Sequence, residues 1–187
     1  EVRERMNADG QVVEKIDFQF LASVLNDIKK KGFEVVAVSL LHSYINPDHE
    51  LEVRNYFQDH FNSIPIVLSH EVAPEWREYE RTSTTVVSAY ITPIVKDYLH
   101  RLSKELSNKN LKVPVHITQS NGGSMSSSQA SEQAVLTLFS GPVGGVVGGK
   151  EIGRLINQSN MICIDMGGTS FDVSLIRNGE VGLKSEF

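Results

Sequence analysis

Cysteine occurs once in the 187 residues, at Cys163, which excludes a disulfide framework and any multi-cysteine zinc cluster. That usage fits a reducing, cytoplasmic compartment. Long apolar runs are also missing, and none approaches the roughly 20 residues a membrane span needs. Nor is there an excess of positive charge. The 18 Lys and Arg stand against 23 Asp and Glu, and a net charge of −5 leaves no electrostatic footprint for nucleic acid. With 40% hydrophobic residues the chain is not disordered as a whole. No internal repeat of fixed period is visible. The length suits one domain, or one and a fraction, and can bury a core without covalent staples. Because the chain opens at Glu1 without Met and stops at Phe187 directly after a strand-like run, it is expected to be a fragment of something longer.

What is present alternates between helix and strand. Ile16 to Lys31 reads as a helix, with Asp17 as cap, Ile16 and Leu21 at the staple positions, three lysines in the last turn and Gly32 as stop. Phe33 to Leu41 is a β-branched apolar run, hence a buried strand. Asn46-Pro47-Asp48 opens a second helix that ends near Phe61, and Ile64 to Leu68 is a short strand. Two strands joined through a helix imply parallel neighbours. Glu78 to Asn108 is the longest helical stretch, with an apolar face at Val87, Ile91, Val95, Tyr98, Leu102 and Leu106. Pro93 interrupts it, so a kink or a restart capped by Thr92 is expected. Val113 to Thr118 reads as a strand, Ser120 to Ser131 as a serine-rich loop with room for one helical turn, and Leu136 to Phe139 as a strand feeding a helix over Pro142 to Asn157. Met161 to Asp165 and Phe171 to Ile176 read as two strands joined by a tight glycine turn. The class is α/β.

Chemistry can sit at two glycine clusters. The first runs from Ser140 to Lys150. Glycines inside a helix each cost up to about 1 kcal/mol relative to Ala, so something must offset them. One reading is tight packing, since Gly145, Gly149 and Gly153 form an i, i+4 row. The other is a nucleotide approaching the helix N-terminus. Gly144 to Lys150 also approaches P-loop spacing, but Glu151 stands where Ser or Thr must bind magnesium. The second cluster is Asp165-Met166-Gly167-Gly168-Thr169-Ser170-Phe171-Asp172. Here an apolar strand delivers a carboxylate beside glycines that let phosphate oxygens reach main-chain N–H groups. A carboxylate at such a turn suits Mg²⁺, which keeps several waters and takes few protein ligands. The blander reading is an ordinary hairpin with polar turn residues.

The second cluster resembles the second phosphate-binding hairpin of the hydantoinase A and 5-oxoprolinase family, within the actin, sugar-kinase and Hsp70 superfamily. Three further segments resemble the same family in order: Glu78-x-x-Arg81-x-x-Thr84-Thr85, Ser120-Asn121-Gly122-Gly123, and Ser140-Gly141-Pro142-Val143-Gly144-Gly145. The resemblance implies a fragment of an actin-like (ribonuclease-H-like) ATPase fold, a mixed sheet with flanking helices. In that frame residues 1–75 end a first ribonuclease-H-like half. Residues 76–187 then carry the long helix, the glycine-rich segment and the start of a second half with the hairpin. It implies ATP and Mg²⁺ as cofactors, and an ATP-dependent hydrolase that opens a hydantoin or 5-oxoproline-type ring by phosphorylating the amide oxygen. A hydantoinase B-type partner subunit or domain goes with it. Asp165 and Asp172 would position metal and water, while Gly167, Gly168, Thr169 and Ser170 hold phosphate. Gly144, Gly145, Asn121, Gly122 and Gly123 would line the same cleft. The family's earlier Asp-x-Gly-Gly-Thr hairpin has no counterpart in this sequence, so the chain alone is expected to be inactive, and Phe171 departs from the Thr of many members. Two alternatives remain, an ATP-dependent ketone carboxylase subunit and a non-catalytic nucleotide-binding module.

Other residues carry weaker signals. His42, His49, His60, His70, His100 and His116 show no pair at metal-sharing spacing and read as ordinary surface or half-buried side chains. Cys163, within a strand, reads as an inert thiol. The run Glu71, Glu75, Arg77, Glu78, Glu80 and Arg81 fits either a substrate cleft or a solvated helix start with Pro74 in its first turn. Trp76 fits a core anchor or a stacking surface.

Overall fold

The computed structural model describes residues 1–61, 64–111 and 113–182. The last residues of the expected 76–187 segment, 183–187, lie outside them. The chain divides into two compact units, Glu1–Lys112 with Ser131–Val135, and Val113–Ala130 with Leu136–Phe187.

The first unit opens with an antiparallel pair, β1 (Arg5–Met6) and β2 (Val12–Glu14). Helix α1 (Phe18–Lys31) has the expected ends: the Asp17 carboxylate accepts from the Phe20 N–H, and Gly32 closes it at φ 66°. Strand β3 (Val36–Val38), helix α2 (Asp48–His60) and strand β4 (Ile66–Leu68) follow, and β3 and β4 pair in parallel as the helical connection requires. Ile16, Leu21, Leu25, Val38, Val53, Phe57 and Leu68 form the core between them. A short helix α3 (Ser69–Val72) leads to α4 (Glu78–Asn108), which packs on β3 and β4.

Several expectations are corrected here. The strand expected over Phe33 to Leu41 is only three residues long, because Leu40 bonds elsewhere. Its N–H goes to Glu50 Oε1 (2.9 Å) and its carbonyl to Arg81 Nη2 (2.9 Å). Helix α4 begins at Glu78, so Pro74 precedes it, and it runs unbroken through Pro93. Thr92 does not cap a restart; its hydroxyl donates to the Ser88 carbonyl one turn back (2.7 Å). The fully buried residues of α4 are Arg81, Thr85, Ser88, Ala89, Thr92 and Leu99, while Ile91, Val95, Leu102 and Leu106 of the expected apolar stripe are half-buried. Thr85 likewise bonds back to the Arg81 carbonyl (2.7 Å), so the two threonines line the contact with their hydroxyls used up locally, while the buried Ser88 Oγ has no hydrogen-bond partner among the described residues. Val87 and Tyr98 stay exposed.

One buried network ties the ends of β3 and β4 to the start of α4. Glu50, fully buried, accepts from the Leu40 N–H, Ser69 Oγ (2.6 Å), the His70 N–H (3.1 Å) and His70 Nδ1 (2.7 Å). Arg81, equally buried, donates to Ser69 Oγ (3.2 Å) and to the Glu75 (2.7 Å) and Leu40 carbonyls. Both charges are thus paired with several partners, the condition under which a buried ion is tolerated.

In the second unit β5 (His116–Thr118) pairs antiparallel with β6 (Ser124–Ser126), and Ser127–Glu132 forms helix α5. The stretch expected as a serine-rich loop with one helical turn therefore holds a strand and a helix. The strand expected over Leu136 to Phe139 is absent. Ala134–Thr137 is a 3-10 turn, and Phe139 takes a left-handed conformation, φ 56°, directly before α6 (Ser140–Leu155). The glycines of the first cluster are accordingly inside a helix. Strands β7 (Met161–Met166), β8 (Phe171–Arg177) and β9 (Glu180–Val181) form an antiparallel sheet in that order. The parallel and antiparallel pairings lie in separate small sheets.

Helix α6 lies along β7 through its glycine row. A Cβ on Gly145 would stand 3.8 Å from Asp165 Oδ2, one on Gly149 would meet Cys163 Sγ at 2.5 Å, and one on Gly153 would strike Met161. Gly141, Gly144 and Gly148, on the other side, face open space. Two substitutions separate the faces. Gly148→Ala should stabilise the full-length protein by up to about 1 kcal/mol through helix propensity. Gly149→Ala should destabilise it by about 1–3 kcal/mol through overpacking, and adding Cys163→Ala should recover most of the loss. Thermal unfolding of the four proteins checks this; equal shifts at 148 and 149 would contradict the packing.

Candidate functional site

The hairpin β7–β8 carries the two carboxylates picked out in the sequence. Its register sets Asp165 directly opposite Asp172, with Met166 opposite Phe171 and the turn Gly167 to Ser170 beyond them. Both acids therefore project from one face at one end of the sheet. The Gly167 N–H donates to the Ser170 carbonyl (3.1 Å), and Ser170 Oγ donates to Asp172 Oδ2 (3.1 Å). Gly167 and Gly168 have nothing within 4 Å of where a Cβ would be, so there is open space beside the turn, although the Gly167 N–H is already used within it. Neither adopts positive φ; their role here is space rather than an unusual turn.

A cavity of about 260 Å³ adjoins this pair, lined by Pro142, Gly145 and Val146 of α6 and by Cys163, Ile164, Asp165, Asp172 and Ser174 of the hairpin. Gly145 lines the cavity beside Asp165, where a Cβ would make only an ordinary contact at 3.8 Å, so the close approach of α6 to β7 rests on Gly149 and Gly153. No side chain caps the N-terminus of α6, whose first N–H groups and dipole favour negative charge. Like charges directly opposite in a ladder are destabilising, so the Asp165–Asp172 arrangement invites a cation. Among the described residues no three His, Cys, Asp or Glu side chains cluster to form a metal cage. Two carboxylates with phosphate oxygens and water suit Mg²⁺, which seldom takes an all-protein shell. The residues fit that ion.

Not every expected residue joins the cavity. Gly144 faces open space and is not among the lining residues. Asn121, Gly122 and Gly123 form the β5–β6 turn, which packs on α6. Gly122 sits at φ 84°, and a Cβ there would be 2.9 Å from Val147 Cγ2. The Asn121 side-chain oxygen is occupied by the Gly123 N–H (2.8 Å). The P-loop reading of Gly144 to Lys150 fails because these residues are helical. Lys150 Nζ bonds Glu180 (3.0 Å), and Glu151 pairs with Arg154 (2.6 and 2.9 Å), whose guanidinium holds that carboxyl below its usual range.

In the first unit Arg81 is a buried structural residue, while Trp76 is 65% exposed and lies beneath the Arg77 guanidinium, not in a core. Sequence reasoning missed that two histidines have buried carboxylate partners, His49 with Glu4 (2.6 Å) and His70 with Glu50. The partners lie 45 and 20 residues away, beyond any local spacing rule.

Comparison with known proteins decides the relationship. The hydantoinase/oxoprolinase family model matches residues 81–187, and the model of that family's N-terminal region matches residues 1–61. The chain belongs to the hydantoinase/oxoprolinase family. An uncharacterised protein of Methanocaldococcus jannaschii is 36% identical over 187 residues, covering 100% of this chain and 28% of its own length. The caprolactamase alpha subunit of Pseudomonas jessenii is 31% identical and covers 97% of this chain and 26% of its own length. The crystal structure of ATP-dependent caprolactamase from that organism matches with a TM-score of 0.85 at 32% identity, over 93% of this chain and 25% of that one. A nucleotide-free acetone carboxylase, solved in work on ATP-dependent acetone carboxylation, gives 0.85 at 33% identity over 96% of this chain and 26% of that one. This member of the family therefore spans about a quarter of the length of these relatives, and it shares their α/β fold.

The opposed carboxylates make a prediction about stability. Asp165→Asn in the full-length protein should raise the unfolding temperature without Mg²⁺, by the equivalent of about 0.2–1 kcal/mol from relieved cross-strand repulsion. The same variant should lose any stabilisation by added Mg²⁺. A lower unfolding temperature without the ion would contradict the repulsion.

Proposed function

We propose that the whole protein is an ATP-dependent hydrolase of cyclic amides, in which this chain contributes one side of the phosphate site. The observation that carries the reading is the placement of Asp165 opposite Asp172, beside the open Gly167-Gly168-Thr169-Ser170 turn and the uncapped start of α6. Two sources of donors or positive potential, the turn and the helix start, lie beside two negative charges. A magnesium-bound polyphosphate satisfies both sets at once.

In this role Asp165 and Asp172 would hold Mg²⁺, and the main-chain N–H groups of Gly168 and Thr169, with the Thr169 hydroxyl, would donate to phosphate oxygens, while Ser170 steadies Asp172. The ion supplies charge neutralisation at the transferring phosphoryl group. Transfer of the γ-phosphoryl group of ATP to the amide oxygen releases ADP and turns a poor electrophile into one that water can attack. The ring C–N bond then breaks, the nitrogen takes the proton, and inorganic phosphate leaves as the carboxylate forms. The family's name and the caprolactamase likeness support a cyclic amide as substrate. A B-type subunit or domain as partner fits a relative that is itself an alpha subunit.

A second reading rests on the acetone carboxylase likeness, which is as close. There the phosphate site would serve carboxylation of a ketone, and dependence of turnover on bicarbonate separates the two.

The test uses full-length protein with Mg-ATP and 5-oxoproline, hydantoin or caprolactam, following ADP release and ring opening together. Asp165→Ala should lower coupled turnover by at least two orders of magnitude, since a preorganised charge contribution is worth about 2.7–4 kcal/mol. Unchanged turnover in the folded variant would remove this site from the mechanism.

A further inference from the structure

The first unit holds a cavity of about 550 Å³, bounded by α2, β4, the segment after it, α4 and residues 131–133. That volume lies within the range of small-molecule sites, about 300–1,000 Å³. Its charged lining is balanced in sign: Arg54 and Lys96 against Glu71 and Glu132. Arg54 Nη1 and Glu71 Oε1 are already paired at 2.6 Å, and Glu71 is further held by its neighbours. Its Oε1 stands 4.0 Å from His70 Nε2, and its carbonyl accepts from Gln133 Nε2 at 3.4 Å. His70 is in turn fixed by the buried Glu50, so this wall of the cavity is anchored in the core of the unit. Lys96 and Glu132 are different. Both are exposed, both line the cavity, and neither forms an ion pair with another described residue. Ile66 and Val72 add apolar surface to the lining.

One unengaged cation and one unengaged carboxylate facing the same cavity, with apolar surface available, match a ligand carrying both charges on a short hydrocarbon frame. We infer that this cavity binds a zwitterionic amino acid, its carboxylate at Lys96 and its ammonium at Glu132. The link to the reaction rests on the hydrolase reading above. Water added across a lactam breaks the acyl C–N bond; the carbonyl carbon gains the oxygen and becomes a carboxylate, and the nitrogen takes the proton and leaves as an amine. The product is an amino acid with both charges. A hydantoin opened in the same way gives a carbamoylated amine, which carries no positive charge. The opened product of a lactam thus matches both charges that this cavity offers, and the cavity would hold it at a second site.

Calorimetric titration of the full-length protein, without ATP or cyclic amide, tests this with 6-aminohexanoate and L-glutamate as probes. Hexanoate, hexylamine and an N-carbamoyl amino acid are the singly charged controls. One zwitterion should bind at least about tenfold more tightly than its singly charged controls. Lys96→Met and Glu132→Gln should each weaken it about tenfold with the unfolding temperature unchanged, since 1.4 kcal/mol is tenfold. No binding of either zwitterion at millimolar concentration, equal binding of the carbamoylated acid, or binding indifferent to both substitutions would overturn the inference. Because no turnover is measured, failure of cyclic-amide hydrolysis in the same protein would strike the hydrolase reading and leave this binding result standing.

Discussion

Helix α6 can lie on β7 only because Gly149 and Gly153 have no side chain. Gly145, Gly149 and Gly153 face Asp165, Cys163 and Met161 in turn, and a methyl group at the second already collides with sulfur. This close approach costs helix propensity at each glycine, up to about 1 kcal/mol, and is offset by the packing it permits. It also fixes where the helix begins. The uncapped first turn of α6 ends up beside the carboxylate end of the hairpin, and the cavity between them has Gly145 on one wall and Asp165 on the other. Packing and site are one constraint.

The hairpin itself conflicts with its own stability. Two aspartates opposite one another in an antiparallel ladder repel, and the turn beyond them leaves its main chain open rather than covered. Such conflicts mark places where a fold serves something other than itself. A divalent cation and phosphate resolve both at once. Elsewhere the structure resolves its charges internally: Glu50 and Arg81 are buried with every approach filled, which makes them anchors of the strand ends rather than chemistry.

Much of this was legible in the sequence where the signal is local. Asp17 and Gly32 bound α1 because capping acts within three or four residues, and the Gly167–Ser170 turn between two short apolar runs could only be a hairpin with its acids at the same end. The family resemblance rested on the same local segments. What was not legible depends on partners far along the chain. The run at 33–41 stops pairing at Val38 because Leu40 is claimed by Glu50 and Arg81. The apolar positions of α4 told only part of its packing, because the fully buried residues include Arg81, Thr85, Ser88 and Thr92, whose polar side chains read as solvent-facing. Leu136 to Phe139 looked like a strand by composition, yet a left-handed Phe139 turns the chain into α6.

The central claim is that Asp165, Asp172 and the Gly167–Ser170 turn hold a metal-bound nucleotide. The most direct measurement is a crystal structure of the full-length protein with Mn²⁺ and a non-hydrolysable ATP analogue, with the metal located by its anomalous signal. The account predicts a single metal peak within one water layer of both aspartates, with phosphate oxygens against the N–H groups of the turn. A nucleotide bound elsewhere, or a metal remote from both carboxylates, would contradict it.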